Sequence, residues 1–488
     1  MNKRKQGKGI VQPTHSNMVR APFSIVFVVA ATFSLAAHSE VLPDPFRTET
    51  RLRHDTNGLT DPLGHDCAVP GGALTFAAAA NLALCRNPQT RAAWAAALEQ
   101  AAALGSAESA WLPTISGTAD ENRYYGKHAD VNGNIVSNPQ NTSDAAVNLT
   151  WTLYDFGGRT SRIQSARSLL DAAAFTASFS VQQVMLLVVQ SYYGAVAADA
   201  LLASAKTTED VTHRSLDIAR ALASGGAASL GDVLQAETAY DQAVLTRIQA
   251  DQAAKGARGT LAVTLGLTAE EQFKLDADPV PKEIPALSAR MGDLMAQAAR
   301  QRPDLKAAQA QRDAAEANVT VARAAGRPSI AFGAVHSYSD TAGVPNQNYN
   351  QIGVTLTVPI FSGFKVKYDV RQAQAALQAQ DINLDQVGLT VTLDVWNGYY
   401  ALESATQQLS VTAGLLKTSD TNLQVSLGRY QAGLGSILDV LTAQAAAAVA
   451  RQLRINAELG WQVARAQLVR AIGRLTSAEP LMNAAAVP

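Results

Sequence analysis

Two carboxylates share a setting. Asp232 lies in GGAASLGDVL (225–234) and Asp439 in AGLGSILDVL (432–441), each inside an Asp-Val-Leu tripeptide just past a glycine-bearing turn. At a helix start a carboxylate complements the positive end of the helix dipole. Where a symmetry axis gathers several copies, it also attracts cations. Little else in the chain offers chemistry. The seven histidines are scattered, with no pair at metal-ligand spacing and no nucleophile–base pair. Asp155-Phe156-Gly157 spells a kinase magnesium motif but lacks the glycine-rich loop and the His-Arg-Asp segment. GGAASLG lacks the Lys-Ser/Thr of a phosphate loop. This reading finds no enzyme, no cofactor and no metal. Cys67 and Cys85 could form one disulfide in an oxidising compartment, tying HDCAVPGGAL (65–74) to the first helix, or stand as two unrelated thiols.

The elements that carry the two aspartates are unusually long. No proline occurs between Gly158 and Pro279, so a helix is predicted from Gly158 to Leu222, and its echo from Gly363 to Tyr430, each about 100 Å long. Globular helices rarely run past about 25 residues; the usual alternative is a coiled coil, and Val184, Leu187 and Val188 mark a seam of helical period. Each long helix meets a turn, and a second helix returns. The first return helix fades near Gly266, DADPVPKEIPAL (276–287) breaks it, and a new helix begins near Ser288. These two shorter helices, about 58 Å and 57 Å, together match one long helix.

Strands precede the long helices. Val147, Leu149, Trp151 and Leu153 alternate with Asn148, Thr150 and Thr152, the period-two pattern of a strand with one apolar face. Ile352 to Val358 repeats it; Thr114–Tyr124 and Ser329–Tyr338 alternate more weakly. Aromatic residues cluster near the strand ends, among them Tyr124, Trp151, Tyr154, Phe156, Phe332, Tyr338 and Phe361, in the manner of an interfacial girdle. The alternative is a pair of soluble hairpins packed on helices.

The chain is written twice. VNLTWTLYDFGG matches IGVTLTVPIFSG, SYYGAVAADALL matches GYYALESATQQL, and LALCRNPQTRAAWAA matches AQAARQRPDLKAAQA, at offsets of about 205 to 215 residues. The expected organisation is a signal peptide (1–39), a periplasmic leader (40–73), a first structural repeat (74–287), a second (288–475) and a tail (476–488). The basic N-terminus, the apolar run Ala21–Ala37 and small residues at Ala36, Ala37 and Ser39 are the parts of a secretory signal, with Met18 an alternative start and a single membrane anchor the competing reading. No later segment offers some 18 unbroken apolar residues.

Hydrophobic residues make up 47% of the chain but aromatic ones 6% and charged ones 17%, so the apolar mass is alanine, suited to helices packed side by side. With a net charge of −1 the chain has no basic face for nucleic acid. Four strands of about ten residues fit a tilted bilayer crossing. The smallest membrane barrels have eight strands, so four must be completed by other chains; twelve strands from three chains would leave a lumen.

With the duplication, the strand-to-glycine entries YDFGGR and IFSGFK, the Asn-Pro helix start and the two turns that lead to Asp-Val-Leu, the chain resembles the TolC-like outer-membrane channel family from about Leu74 to Leu475. The leader with Cys67, and LALCRNPQTRAAW, look most like the outer-membrane components of cyclolysin (adenylate cyclase toxin) type I secretion. The resemblance implies a mainly α fold with a small β part: long helical hairpins building a periplasmic α-barrel, and four transmembrane strands per chain contributing to a twelve-stranded barrel in a homotrimer. It implies an outer-membrane location in a Gram-negative bacterium, most of the chain in the periplasm, and passive export of protein or small-molecule cargo. The implied partners are a periplasmic adaptor and an inner-membrane ABC exporter or proton-driven pump. By the same resemblance Asp439 stands where an aspartate rings the closed entrance, Thr442 where the family has a second one, Tyr430 at the gate tyrosine, and Asp232 as its partner on the other hairpin. Gly435 replaces the arginine of the family's lock. Gly226, Ser229, Gly433, Leu434 and Ser436 match the tips that meet the adaptor. A drug-efflux outer-membrane factor is the nearest alternative; a periplasmic coiled-coil adaptor or a structural protein is one of another class.

Overall fold

Each half of the chain opens on a helix broken at an X-Pro pair. In the computed structural model, α1 (Thr48–Asp55) and α2 (Phe76–Arg86) precede α3 (Pro88–Glu108). Asn87 caps α3: its Oδ1 accepts from the Gln89 N–H at 2.8 Å, and Pro88 occupies the first helical position, where a missing N–H costs nothing. In the second half α6 (Met291–Gln301) and α7 (Pro303–Ala324) meet in the same way at Arg302. The structure describes residues 43–55, 67, 72–129, 133–136, 140–271, 273–276, 290–342 and 345–476. The expected signal segment, most of the leader, residues 277–289 of the linker and the tail beyond 476 lie outside them. Phe46–Pro488 is one unit and Met1–Pro45 another; all the elements named here belong to the former.

A short 3-10 turn (Ser109–Trp111) leads from α3 into β1 (Thr114–Tyr124), a two-residue pair β2 (His128–Ala129) and β3 (Ile135–Val136), and β4 (Gln140–Tyr154). The second half supplies β5 (Ser329–Thr341) and β6 (Gln347–Thr357). β1, β4, β5 and β6 form one antiparallel sheet in that order, leaving β1 and β6 as its edges. β4 is longer than the alternating segment read from the sequence because its polar start also pairs, Tyr124 opposite Gln140. The register collects one face: Ile115, Leu149, Ala334 and Ile352 lie in one row, and Trp151, Phe332 and Val354 in the next but one. That face is open, with Ile352 76% and Val354 64% exposed. The opposite face carries Thr114, Thr150, Gly333 and Gly353, then Ser116, Asn148 and Gln351.

The strand-to-helix turns take a left-handed step. Phe156 and Gly157 in the first copy, and Gly363 and Phe364 in the second, have φ between 51° and 90°, an uncommon conformation for phenylalanine. Arg159 fastens the first turn. Its guanidinium donates to the Thr152, Ala110 and Leu153 carbonyls at 2.7, 3.2 and 3.3 Å and lies 3.8 Å over the Trp111 ring, while its backbone N–H donates to Asp155.

The long helices agree residue for residue. α4 (Gly158–Ser224) and α8 (Lys365–Gln431) each have 67 residues, and the return helices α5 (Leu230–Thr264) and α9 (Ile437–Ala471) each have 35. At the helical rise these are about 100 Å and about 52 Å. The helix after the linker is shorter than the sequence reading supposed, because Pro303 splits α6 from α7, which alone spans about 33 Å. α5 packs along one part of α4 and α7 along another; α9 packs on α8 and on α4, joining the two halves.

Both return helices end on the X-Pro break of their own half. Gly266 (φ 76°) comes so close to Arg86 that a Cβ would lie 2.6 Å from its carbonyl oxygen, and Gly473 (φ 80°) so close to Gln301 that one would lie 2.8 Å from its carbonyl carbon. Asn87 Nδ2 donates to the Thr264 carbonyl at 2.8 Å; Arg302 Nη1 donates to that of Ala471 at 3.4 Å. Arg302 is buried and held by Asp304 (2.5 Å) and Asp394 (2.9 Å). Burial works against its charge, but these two carboxylates outweigh it and raise its pKa. Above the first junction the core is Phe76, Val184, Met185, Val188, Tyr192, Leu261 and Leu265. The Tyr192 hydroxyl donates toward the carbonyls of Leu74 and Asp276, where the leader pairs with the linker. Cys67 and Cys85 are bonded, Cα atoms 6.3 Å apart, joining the leader to the last turn of α2.

Within α4 an 18-residue window reaches a mean hydropathy of 1.7, long and apolar enough for a membrane span, although the sequence shows no unbroken run. Half of it is buried inside the chain, with Val181, Val184, Met185, Val188 and Val189 in the core, so it is a packing face.

Candidate functional site

The two turns that carry the aspartates are built alike. α4 ends with Gly226 at φ 77° and α8 with Gly433 at φ 71°, the left-handed position that stops a helix and lets the next N–H reach back. Ala227 N–H donates to the Leu222 carbonyl at 2.9 Å and Leu434 N–H to that of Arg429 at 2.8 Å. Ser229 and Ser436 then cap α5 and α9. Each serine receives a backbone N–H of the new helix, and each aspartate returns the bond, Asp232 Oδ2 accepting from Ser229 N–H at 3.0 Å and Asp439 Oδ2 from Ser436 N–H at 3.2 Å. Both carboxylates are therefore half engaged locally, which the dipole argument from sequence did not anticipate. Asp439 is exposed and Asp232 partly so. Thr442 is exposed as well, its hydroxyl donating to the Leu438 carbonyl of its own helix at 2.8 Å.

Tyr430 stands apart from these solvent-facing groups. It is 4% exposed, packed among Leu216, Ala219, Ala236, Ile437 and Val440, in a cluster that joins the two hairpins of one chain. Its hydroxyl has no hydrogen-bond partner in that packing. Burial, and after it the charge of Asp232, push its pKa above the ordinary 10.0. The pairing of Tyr430 with Asp232 that the resemblance implies is not made as a hydrogen bond: the hydroxyl is unpartnered, and Asp232 Oδ2 is held by its own cap. At Gly435, where the resemblance implies an arginine, a Cβ would lie 3.3 Å from Arg429 Cβ and from Tyr430 N, a tight approach. Arg429, which the sequence reading passed over, instead directs Nη2 to the Leu434 carbonyl at 3.4 Å.

A second missed contact lies further along the hairpins. Gln444 Nε2 donates to Ser215 Oγ at 2.6 Å, buried between α9 and α4. Neither residue carries a sequence signal, since both are ordinary in alanine-rich helices. Ion pairs bind the arms of each hairpin: Arg220–Glu237, Arg247–Glu209 and Arg258–Asp199 in the first, Arg451–Asp420 in the second.

The two copies differ in what they cover. Ile437 is 3% exposed against the first hairpin, whereas its equivalent Leu230 is 73% exposed. α5 presents Leu234, Leu245 and Ile248 openly, and α8 presents Leu389, Leu393 and Trp396. The contact made inside the chain by α4 and α9 has unfilled counterparts on α8 and α5. Gly226, Ser229, Gly433, Leu434 and Ser436 are all exposed at the turns. Among the described residues no group of three His, Cys, Asp or Glu could hold a metal ion.

Known proteins resemble this chain in sequence and in fold. The sequence profile of the outer membrane efflux protein family matches residues 79–267 and 294–474. Protein CyaE of Bordetella pertussis is 30% identical over 391 residues, 78% of this chain and 80% of that protein. Outer membrane protein TolC of Escherichia coli is 23% identical over 81% of each chain. Among solved structures, the outer membrane protein VceC of Vibrio cholerae superposes with a TM-score of 0.70 at 17% identity, over 82% of this chain and 96% of that one.

Proposed function

We propose that this chain, which belongs to the outer membrane efflux protein family, is one third of a passive export duct running from the outer membrane through the periplasm. The observation that carries the reading is the four-stranded sheet with an exposed apolar face and two unpaired edges, set at one end of helices about 100 Å long. A lipid-facing sheet tolerates no open edge, so β1 of one copy must pair with β6 of another. Three copies give twelve strands, and the open faces of α5 and α8 meet between copies as α4 and α9 meet within one. Below the membrane the helices then continue the same wall.

The duct itself supplies no energy. Cargo is delivered by an inner-membrane transporter through an adaptor that docks on the exposed turns at Gly226, Ser229, Gly433, Leu434 and Ser436. Three Asp439 carboxylates, each with Oδ1 unengaged by its cap, ring the entrance and favour cations there. Thr442 adds no second charge, so the ring is single. At Tyr430 the hairpins are held by aliphatic packing, with the Gln444–Ser215 hydrogen bond further along, rather than by a tyrosine–aspartate bond, and the entrance opens when that packing parts.

Protein cargo is the preferred reading, supported by the leader and helix-start resemblance to toxin-secretion components and by the likeness to Protein CyaE. Drug efflux is the second reading, favoured by the family's own description. Planar-bilayer recording of the purified chain tests the duct: wild type conducts with cation preference, and Asp439→Asn lowers that preference. Recovery of the processed chain as a water-soluble monomer would refute the duct, and unchanged selectivity in Asp439→Asn would refute the ring. Secretion of a protein substrate by a strain carrying the chain, and its loss on deletion, separates protein from small-molecule cargo.

A further inference from the structure

At the periplasmic end of the sheet the chain gathers cations that have nothing to pair with. Arg162 lies one turn into α4; Arg323 and Arg327 flank the end of α7; Lys367 and Arg371 lie in the first two turns of α8. All five are exposed, and among the described residues none has a carboxylate partner. Elsewhere on the helices Arg220, Arg247, Arg258, Arg312, Arg451 and Arg454 each meet an acid, while among the described residues Arg91, Lys206, Arg214 and Lys417 are exposed without one; what sets the five apart is that they share one end of the sheet. The nearby charges are already spent: Lys365 on Asp369, and Arg159 on backbone carbonyls. The net charge of the chain is −1, so the excess is local.

The cations border an apolar rim. Ile360, Phe361, Phe364 and Tyr368 are 94%, 75%, 63% and 64% exposed, and Phe361 packs edge-on against Phe364. Tyr368 and Arg371 lie one turn apart on α8, just past its cap residue Phe364, with the Arg371 guanidinium 5.8 Å from the centre of the Tyr368 ring. Gly326, just past α7, lies against the same turn, since a Cβ there would lie 3.0 Å from Val366, and so brings the end of α7 to the start of α8. A water-filled lumen would not be lined by such a rim, whereas aromatic side chains followed by Lys and Arg one or two turns out are the signature of a membrane–water interface. Along the helices Arg162, Arg323, Lys367 and Arg371 lie within about 9 Å of the helix ends that face the sheet, a distance comparable to the headgroup layer.

We propose that Arg162, Arg323, Arg327, Lys367 and Arg371 form a collar that binds the phosphates of anionic glycerophospholipids in the leaflet facing the periplasm. The inference rests on the sheet's being the membrane-spanning part. The collar fixes how deeply the sheet sits and selects the lipids around it.

The test uses the full chain in nanodiscs of phosphatidylcholine mixed with headgroup-labelled phosphatidylglycerol, reading the ratio of the two lipids at the protein against that in the bulk. Wild type enriches phosphatidylglycerol, by roughly fivefold for each cation engaged, and raised salt reduces the enrichment. The variant Arg323→Gln/Arg327→Gln/Lys367→Gln/Arg371→Gln brings the ratio toward one; Arg323→Lys/Arg327→Lys/Arg371→Lys keeps it, which separates charge from any fault in folding. A wild-type ratio of one, or a glutamine variant with the wild-type ratio, overturns the proposal. So does a glutamine variant that shifts the ion selectivity of the conductance while leaving the lipid ratio intact, because the cations would then face the lumen. A chain that never conducts yet enriches the lipid refutes the duct and leaves the collar standing.

Discussion

On the proposed reading of the turns as the entrance of a duct, the unpartnered hydroxyl of Tyr430 separates two ways of holding that entrance shut. Tyr430→Phe removes a buried group that makes no hydrogen bond, and leaving such a group buried costs about 1–3 kcal/mol. The phenylalanine variant should therefore be as well packed as wild type, or better. Tyr430→Ala removes the ring from the cluster with Leu216, Ala219, Ile437 and Val440 and should cost about 3–5 kcal/mol, two orders of magnitude or more in local opening. Amide hydrogen exchange of residues 216–222 and 437–443 reads this directly: unchanged or slower in the phenylalanine variant, much faster in the alanine one. Acidity gives an independent check. The packed state holds the phenolic proton above the ordinary 10.0, so its stabilisation is complete below that pH and is lost as pH rises through the higher folded value. With the base-catalysed rise of the intrinsic exchange rate divided out, protection at these segments should fall above pH 10 in wild type and not in Tyr430→Phe. If the phenylalanine variant opens as readily as the alanine one, the hydroxyl makes a bond that this geometry lacks, and the packing account is wrong.

Other outcomes follow from the junctions. Gly266→Ala places a Cβ 2.6 Å from the Arg86 carbonyl at φ 76° and should lower Tm well beyond the left-handed strain of about 1–2 kcal/mol; Gly433→Ala, with nothing within 4 Å of its Cβ, should show that strain alone. Arg302→Ala leaves Asp304 and Asp394 without their buried partner and should cost about 3–5 kcal/mol by thermal unfolding. Reduction of Cys67–Cys85, separated by 18 residues, should lower stability by about 3 kcal/mol without changing conductance.

Much of this was legible in advance, for physical reasons. Strict alternation in Val147–Leu153 has only one periodic solution, and a proline-free alanine-rich stretch from Gly158 has another. The duplication then let each half predict the other. What escaped were contacts between distant residues. Nothing local announces that Gly266 seats on Arg86, that Gln444 finds Ser215 across 229 positions, or that Tyr430 is left without a partner. The aspartates were found but their caps were not, although Ser-x-x-Asp is visible at both turns. The basic collar was hidden because its members come from three helices.

The seating of α5 and α9 on the X-Pro breaks makes the chain a gauge with an adjustable lower limb. Beneath Gly266 and Gly473 each hairpin is a pair of antiparallel rods, and nothing above depends on their extent. Seven residues added to both rods of both hairpins would lower the tips by about 10 Å and restore nearly the same rotational phase. If the chain works as the proposed duct, its reach toward the inner membrane is an independent dimension, free to match periplasms of different depth without rebuilding the part held in lipid.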